Sequence, residues 1–468
     1  MAQPPKASFT EGNLMKHVSV MSLTSSLGIM AIYVVDLCDI FFISLLGEKE
    51  MAAAAGFAST LMFFISAISI GVSIATGSLV SAALGVNDRK TAREIATTAA
   101  VVVIGVSIIL PTIFLLNLEY LLSLIGATGV VAEMASRYLW IILPSTVLSG
   151  ISMVAVSALR ADGEAKWSMY PSLLGALVNL VADPIFIFAL GFGLEGAAMA
   201  TVLARMATFS VANYATIKRN NLFASPNANE CARHLMSVLR YTFPAVFSSL
   251  AAPVGMAIVM RYIARFGPEA VAGMAVVGRL YPVVFSVVSA LSGSIGPIIG
   301  QNFGAGFSDR VKEAYFDALK FLLVYVICIA VILFLTRSPI ADAFSLSGLS
   351  RDLLYLFCGP LAIVAFFNGS IFVSNALHMN VGKPRYPVML SWGRTMGMIP
   401  FAELGSRTLG AEGVFVGVTA GGLVFSAIAI SLSMRTMGNL SLAKSKAATA
   451  EDGVSSSQEI MQSERWEG

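Results

Sequence analysis

Charge is what this sequence has least of. Only 12% of its 468 residues are Asp, Glu, Lys or Arg, where a soluble globular domain carries about 25%. The 30 basic and 27 acidic side chains leave a net charge of +3, too little to mark a polyanion partner. Low charge with mean hydropathy of +0.80 excludes a soluble enzyme, a disordered scaffold and a nucleic-acid binder. Cysteine is scarce too: Cys38, Cys231, Cys328 and Cys358 lie far apart, mostly in apolar runs. They form neither a disulfide framework nor a CxxC metal pair and read as core filler. The start shows no cleavable signal pattern, because the polar stretch Ala2–Lys16 leads into a full-length apolar run.

What remains is apolar length, 57% of the chain. A span needs about 20 mostly apolar residues. Twelve such runs are expected, at 17–46, 51–84, 92–118, 131–158, 168–190 and 195–217, then 236–264, 270–303, 314–336, 352–378, 385–404 and 410–434. The fold class is an all-α membrane protein with twelve transmembrane helices in two six-helix lobes. The layout is a cytoplasmic segment 1–16, an N-lobe 17–217, a cytoplasmic linker 218–235, a C-lobe 236–434 and a polar cytoplasmic tail 435–468. Turns after even-numbered spans carry thirteen cations: Arg89, Lys90, Arg93, Arg160, Lys166, Lys218, Arg219, Arg233, Arg240, Arg310, Lys312, Lys383 and Arg385. Turns after odd-numbered spans carry six, Lys49, Arg261, Arg265, Arg337, Arg351 and Arg407. Positive loops stay inside, so both termini are expected in the cytoplasm of a plasma-membrane protein, the inner membrane in a Gram-negative cell.

The chain repeats itself. Gly85-Val-Asn-Asp-Arg89 returns as Gly306-Phe-Ser-Asp-Arg310, Ala158-Leu159-Arg160 as Ala376-Leu377-His378, and Tyr170-Pro171 as Tyr386-Pro387. Leu194-Glu195-Gly196 returns as Ala411-Glu412-Gly413. A repeat of six spans is even, so the two halves are parallel, the arrangement of transporters that rock two bundles about a central cavity.

Charges at bilayer depth cost roughly 2.5–3.5 kcal/mol each on insertion scales, so each one calls for a reason. Asp36 and Asp39 lie three apart in the first span, about 60° apart around a helix, so both can face one cavity. Alternatively Asp39 sits at the outer rim and Asp36 faces solvent. Asn179 and Asp183 share a face of the fifth span; Asp before Pro184 can also mark a local break. Thr201 and Arg205 lie in the sixth span, and Tyr33 and Tyr138 offer hydroxyls. Carboxyls in apolar surroundings hold protons near neutral pH, and two brought together hold one more tightly or bind a sodium ion between them. The seventh span has no acid after Arg240, so the C-lobe candidates are Arg279, Asn368, Asn375, Arg394 and Glu403. Arg394 and Glu403 also fit simple pairing or snorkelling, and His378 reads as loop rather than ligand. The 22 Met and 29 Phe are mostly packing, with a subset suited to a greasy cleft.

The stretches Asp39-Ile-Phe-Phe-Ile-Ser-Leu-Leu-Gly47, Ala52-Ala-Ala-Ala-Gly56, Ala158-Leu-Arg-Ala-Asp-Gly163, Asn179-Leu-Val-Ala-Asp183-Pro184, Gly196-Ala-Ala-Met-Ala-Thr201 and Gly300-Gln-Asn-Phe-Gly-Ala-Gly306 together resemble the multidrug and toxic compound extrusion (MATE) family. The acid-free seventh span resembles its DinF-like branch. The resemblance implies a non-enzymatic antiporter, without cofactor or resident metal, that expels organic cations or amphipathic drugs against H+ or Na+. It implies coupling at Asp39 and Asp183, with Asn179 and Thr201 beside them, Asp36 auxiliary or rival, and any sodium held by Asp39 and Asp183. Tyr33, Tyr138, Arg205, Arg279, Asn368 and Asn375 are the expected cavity residues, and the protein is expected to act as a monomer. The first span lacks the proline on which a bending helix would hinge, though Gly28 softens it. Two rivals are weighed. A lipid-linked oligosaccharide flippase wants more cavity arginine than Arg205, Arg279 and Arg394 supply. An integral-membrane prenyltransferase finds in Asp36-x-x-Asp39 only half of a magnesium–diphosphate motif.

Overall fold

A computed structural model of the chain describes residues 7–46 and 49–463. Residues 1–6, Gly47 of the first-span motif and 464–468 of the tail lie outside them. Fifteen α-helices follow in order: α1 (Leu14–Leu45), α2 (Lys49–Gly85), α3 (Arg89–Leu116), α4 (Leu118–Leu124), α5 (Gly129–Ile142), α6 (Thr146–Ala161), α7 (Ala165–Pro184), α8 (Gly193–Asn213), α9 (Ala228–Ile263), α10 (Pro268–Val284), α11 (Ser286–Gly304), α12 (Ser308–Ala343), α13 (Gly348–Cys358), α14 (Val364–Asn380) and α15 (Arg385–Ser463). Among the described residues nine helices are long and apolar enough to cross a membrane, and the bent pair α10 and α11 makes a tenth. α15 contains two spans, because Gly410 breaks it at φ 65° and ψ −140°. With α8 the total is the expected twelve.

Breaks recur at matching places in the two halves. Pro144 interrupts the fourth span at Leu143–Ser145 and Pro360 the tenth at Pro360–Ile363, since proline supplies no N–H and displaces the preceding turn. The eighth span bends by 44° at Phe285, whereas its counterpart α2 is one helix. Two helices run past the expected spans. The linker begins to coil at Ala228, so α9 starts within it. The polar tail continues as helix to Ser463.

The two halves meet along α2, α9, α11 and α14, and α1 belongs to both. Leu14, Val18 and Met21 of α1 join the C-lobe core around Leu291, Tyr315 and Leu377, while the rest of α1 packs on α7. Hydrogen bonds between the lobes cluster at the end of the molecule that carries the α2–α3 and α11–α12 turns. Ser78 donates to the Met379 carbonyl at 3.0 Å, and Gln301 donates to that of Ala161 at 2.7 Å. Here Gly296, Gly300 and Gly304 on α11 form a stripe with four-residue spacing, the pattern that lets helices touch backbone to backbone in lipid. A methyl group at Gly304 would overlap the Ala82 carbonyl oxygen of α2, and one at Gly85 that of Gln301.

A short N-terminal strap fastens this seal. The Phe9 amide donates to Gln301 Oε1 at 2.8 Å, and its carbonyl accepts from Asn302 at 3.0 Å and Arg310 at 3.1 Å. Ser8 bonds the Asp162 carbonyl of the N-lobe at 2.9 Å. On the outside of the bundle α3 and α12 turn residues such as Ile108, Ile109, Val331 and Leu335 outward, as lipid-facing helices do.

Candidate functional sites

Two polar sites emerge. The first lies within the N-lobe, where Asn179 bridges two carboxylates. Its Nδ2 donates to Asp39 Oδ1 at 2.9 Å and to Asp183 Oδ2 at 3.1 Å, and the Asp39 and Asp183 carboxyls contact one another. Asp183 is fully buried, Asn179 nearly so and Asp39 partly. Asn179 Oδ1 and Asp183 Oδ1 are enclosed and have no hydrogen-bond partner among the described residues. Local sequence explains the placement. Asn179 and Asp183 are one turn apart on α7, and Pro184 then interrupts the ladder so that the chain continues as a π turn, Ile185–Ala189. Single-turn π segments recur at functional sites.

Around this trio, Tyr138 of α5 lies close to Thr201 and Arg205 of α8, while the Thr201 hydroxyl donates to the Ala197 carbonyl at 3.0 Å. Arg205 itself is engaged: Nη1 donates to the Ile142 carbonyl at 3.2 Å and to Ser145 Oγ at 2.8 Å. It satisfies backbone freed by the Pro144 break, a structural duty not foreseen for an expected cavity residue. Asp36 is exposed and stands apart from the Asn179 bridge. Tyr33 reaches across to Ser289 of α11. Spacing alone pairs Asn179 with Asp183, whereas the meeting of α1 with α7 needs the tertiary fold.

The second site lies between the lobes, just above the glycine seal. It is a cavity of about 450 Å³ bounded by α2, α6, α9, α11, α14 and α15, within the range of small-molecule sites. Asn375 lines it and donates to Ser391 at 3.0 Å. Asn368 lies elsewhere in the C-lobe, donating to the Tyr281 hydroxyl at 3.0 Å with Arg394 nearby. Arg279 is exposed on α10 and is not part of the cavity lining. Glu403 pairs with Arg265 at 3.2 Å and Arg407 at 2.7 Å, the surface pairing weighed above.

Two readings of basic residues are corrected. Arg160, counted among the loop cations, lies in the last turn of α6 and lines the cavity. His378, read as loop, is completely buried in α14. There it bonds the Ser374 carbonyl at 2.7 Å and Thr436 at 3.3 Å, with its ring against Tyr386. The signal was available: the Ala-Leu-Arg and Ala-Leu-His echoes put a base at equivalent helix ends, where the C-terminal dipole favours one. Loop bias remains after Arg160 is removed, twelve to six.

The MatE family model matches the chain twice, over residues 25–185 and 244–404. The matches start at 25 and 244, 219 residues apart, the repeat seen in the sequence. A protein of Shewanella oneidensis named FAD transporter is 29% identical over 429 residues, covering 89% of this chain and 93% of its own length. The multidrug export protein MepA of Staphylococcus haemolyticus is 22% identical over 408 residues, 87% of this chain and 90% of that protein. Among solved structures, an outward-facing multidrug resistance MATE family transporter of the MOP superfamily superposes with a TM-score of 0.86 at 22% identity. It covers 93% of this chain and 98% of that one, so the two-lobed fold is the same.

Proposed function

The chain belongs to the MatE family of multi-pass membrane transporters, and from that premise we propose that it is a secondary exporter of organic cations and amphipathic drugs whose coupling ion is the proton. It works in the plasma membrane, with both termini and the glycine seal facing the cytoplasm and the cavity opening outward. The observation that carries the coupling is the Asn179 bridge between Asp39 and Asp183. Two touching carboxyls repel unless a proton lies between them, and the unbonded oxygens of Asn179 and Asp183 leave room for that proton's changing partners.

The mechanism follows from one shared charge. A proton entering from outside neutralises the pair, removes the attraction for a cationic substrate and draws α1 onto α7. Once the seal opens inward the proton leaves, α1 loosens, and the restored negative charge attracts the next cation. Antiport results because proton and cation compete for the same carboxyls. The named relatives differ in cargo, an FAD transporter and a multidrug export protein.

The test uses vesicles reconstituted with the full chain and loaded with ethidium. An imposed pH gradient should drive transport, and Asp39→Asn or Asp183→Asn should abolish it while the protein still folds and inserts. Each asparagine fixes a neutral side chain of nearly unchanged size, so lost packing cannot account for the loss. Driving by a sodium gradient alone would replace the proton with Na+ at the same residues. Full transport by the Asp39→Asn, Asp183→Asn double variant would end the proposal.

A further inference from the structure

Among the described residues, Arg160 is the one charged side chain lining the cavity between the lobes. Its enclosed Nε has no hydrogen-bond partner among the described residues, and no carboxylate among them pairs with it. The nearest acid along the chain, Asp162, is taken by Arg89 at 2.9 Å. The guanidinium reaches from α6 to α11, where Gly293 leaves space for it: a methyl group there would sit 2.9 Å from Nη1. Beside Gly293, Ser292 also lines the cavity. The wall is otherwise hydroxyl and hydrocarbon, with eight serines and apolar faces such as Phe63, Ile74 and Phe372. Among the described residues no carboxylate lines it.

We propose that this cavity is a binding site for amphipathic organic anions, with Arg160 holding a phosphate or carboxylate group and the apolar wall holding the body of the molecule. Guanidinium presents a planar fork matched to two oxyanion oxygens, and Ser292 adds a neutral donor alongside. The unpaired charge also supplies a selection device. While the cavity is hydrated, water solvates Arg160. When the lobes close over it that water leaves, and an uncompensated guanidinium makes closure unfavourable. An anion brought in as cargo supplies the missing counter-charge, so the loaded carrier closes more readily than the empty one. This reading rests on the chain being a transporter and is independent of the carboxyl site between α1 and α7.

The experiment measures equilibrium binding to the purified full-length protein in nanodiscs, with no gradient present. The probes are 4-methylumbelliferyl phosphate, carboxyfluorescein and, as the cation, ethidium. The wild-type chain should bind at least one anion, and the stronger of the two assigns phosphate or carboxylate as the preferred group. Arg160→Gln should weaken anion binding about 10- to 100-fold, the range for a hydrogen bond to a charged group, while ethidium binding holds or strengthens as repulsion is removed. Arg160→Lys keeps the charge but loses the fork, so it should bind anions with intermediate affinity; it carries the test should the Gln variant fail to fold. Anion affinities unchanged in both variants would overturn the site. So would a wild-type chain that moves ethidium on a pH gradient yet binds neither anion, a result that leaves the coupling proposal standing. Anion binding without any gradient-driven transport supports the site and refutes the coupling instead.

Discussion

Replacing Gly304 by alanine tests whether the glycine stripe of α11 is the gate. The added methyl overlaps the Ala82 carbonyl oxygen and lies 3.1 Å from its carbonyl carbon. Carbon contacts settle at about 3.5–4.0 Å, so α2 and α11 must part by on the order of 1 Å. The obstacle is backbone, which no rotamer change can remove. Overpacking of this kind costs about 1–3 kcal/mol, and here it falls on the sealed state alone if the lobes separate at this contact during transport. The ratio of sealed to open molecules should then drop by about 5- to 150-fold. Spin labels at Val86 of the N-lobe and Arg385 of the C-lobe, both exposed, would read the change as a rise in the long-distance population. Gly105→Ala is the control: nothing lies within 4 Å of its new methyl, and alanine favours a helix over glycine by up to about 1 kcal/mol. A Gly304→Ala chain with lower melting temperature but an unchanged distance distribution would show that the stripe only stabilises and does not gate.

Three further outcomes are expected. Phe9→Ala removes a buried ring, 2% exposed, from the strap that ties the lobes together; a loss of about 3–5 kcal/mol should appear as earlier melting and a larger open population in the same spin-label measurement. Asp88 caps α3 by accepting from the Thr91 amide at 3.0 Å, and hydrogen bonding from the Thr91 hydroxyl, with the amide second, holds its carboxyl below the usual value. Its contribution, about 1 kcal/mol, is therefore present above the unfolded pKa and lost as pH falls through the folded one. Asp88→Ala should lower the melting temperature at neutral pH, with the difference from wild type closing in acid. Asp36→Asn should reduce gradient-driven ethidium transport less than Asp39→Asn, because Asp36 is outside the Asn179 bridge; an equal or greater loss in the same vesicles would reassign the principal acid of α1.

Much of this molecule was written in one dimension. Twelve apolar runs, the Asp-Arg, Tyr-Pro and Glu-Gly echoes and the loop cations define a duplicated helical membrane protein, because lipid leaves the backbone no alternative to helix or closed barrel. The pairing of Asn179 with Asp183 was equally legible, since four residues make one helical turn. What sequence could not decide was which faces meet. Asp39 joins that pair only because α1 packs on α7, and Asp36, one turn away on the same helix, does not. Arg160 looked like a loop charge because its neighbours Asp162 and Gly163 begin a turn; only the closing of α6 against Gly293 of α11 brings it into the cavity. Arg205 looked free and is committed to Ile142 and Ser145. The glycine stripe likewise becomes a seal only when α2 lies along it. Periodicity fixes a residue's direction on its own helix, whereas a site requires two helices to present their faces to each other, and that choice is made by packing across the whole bundle.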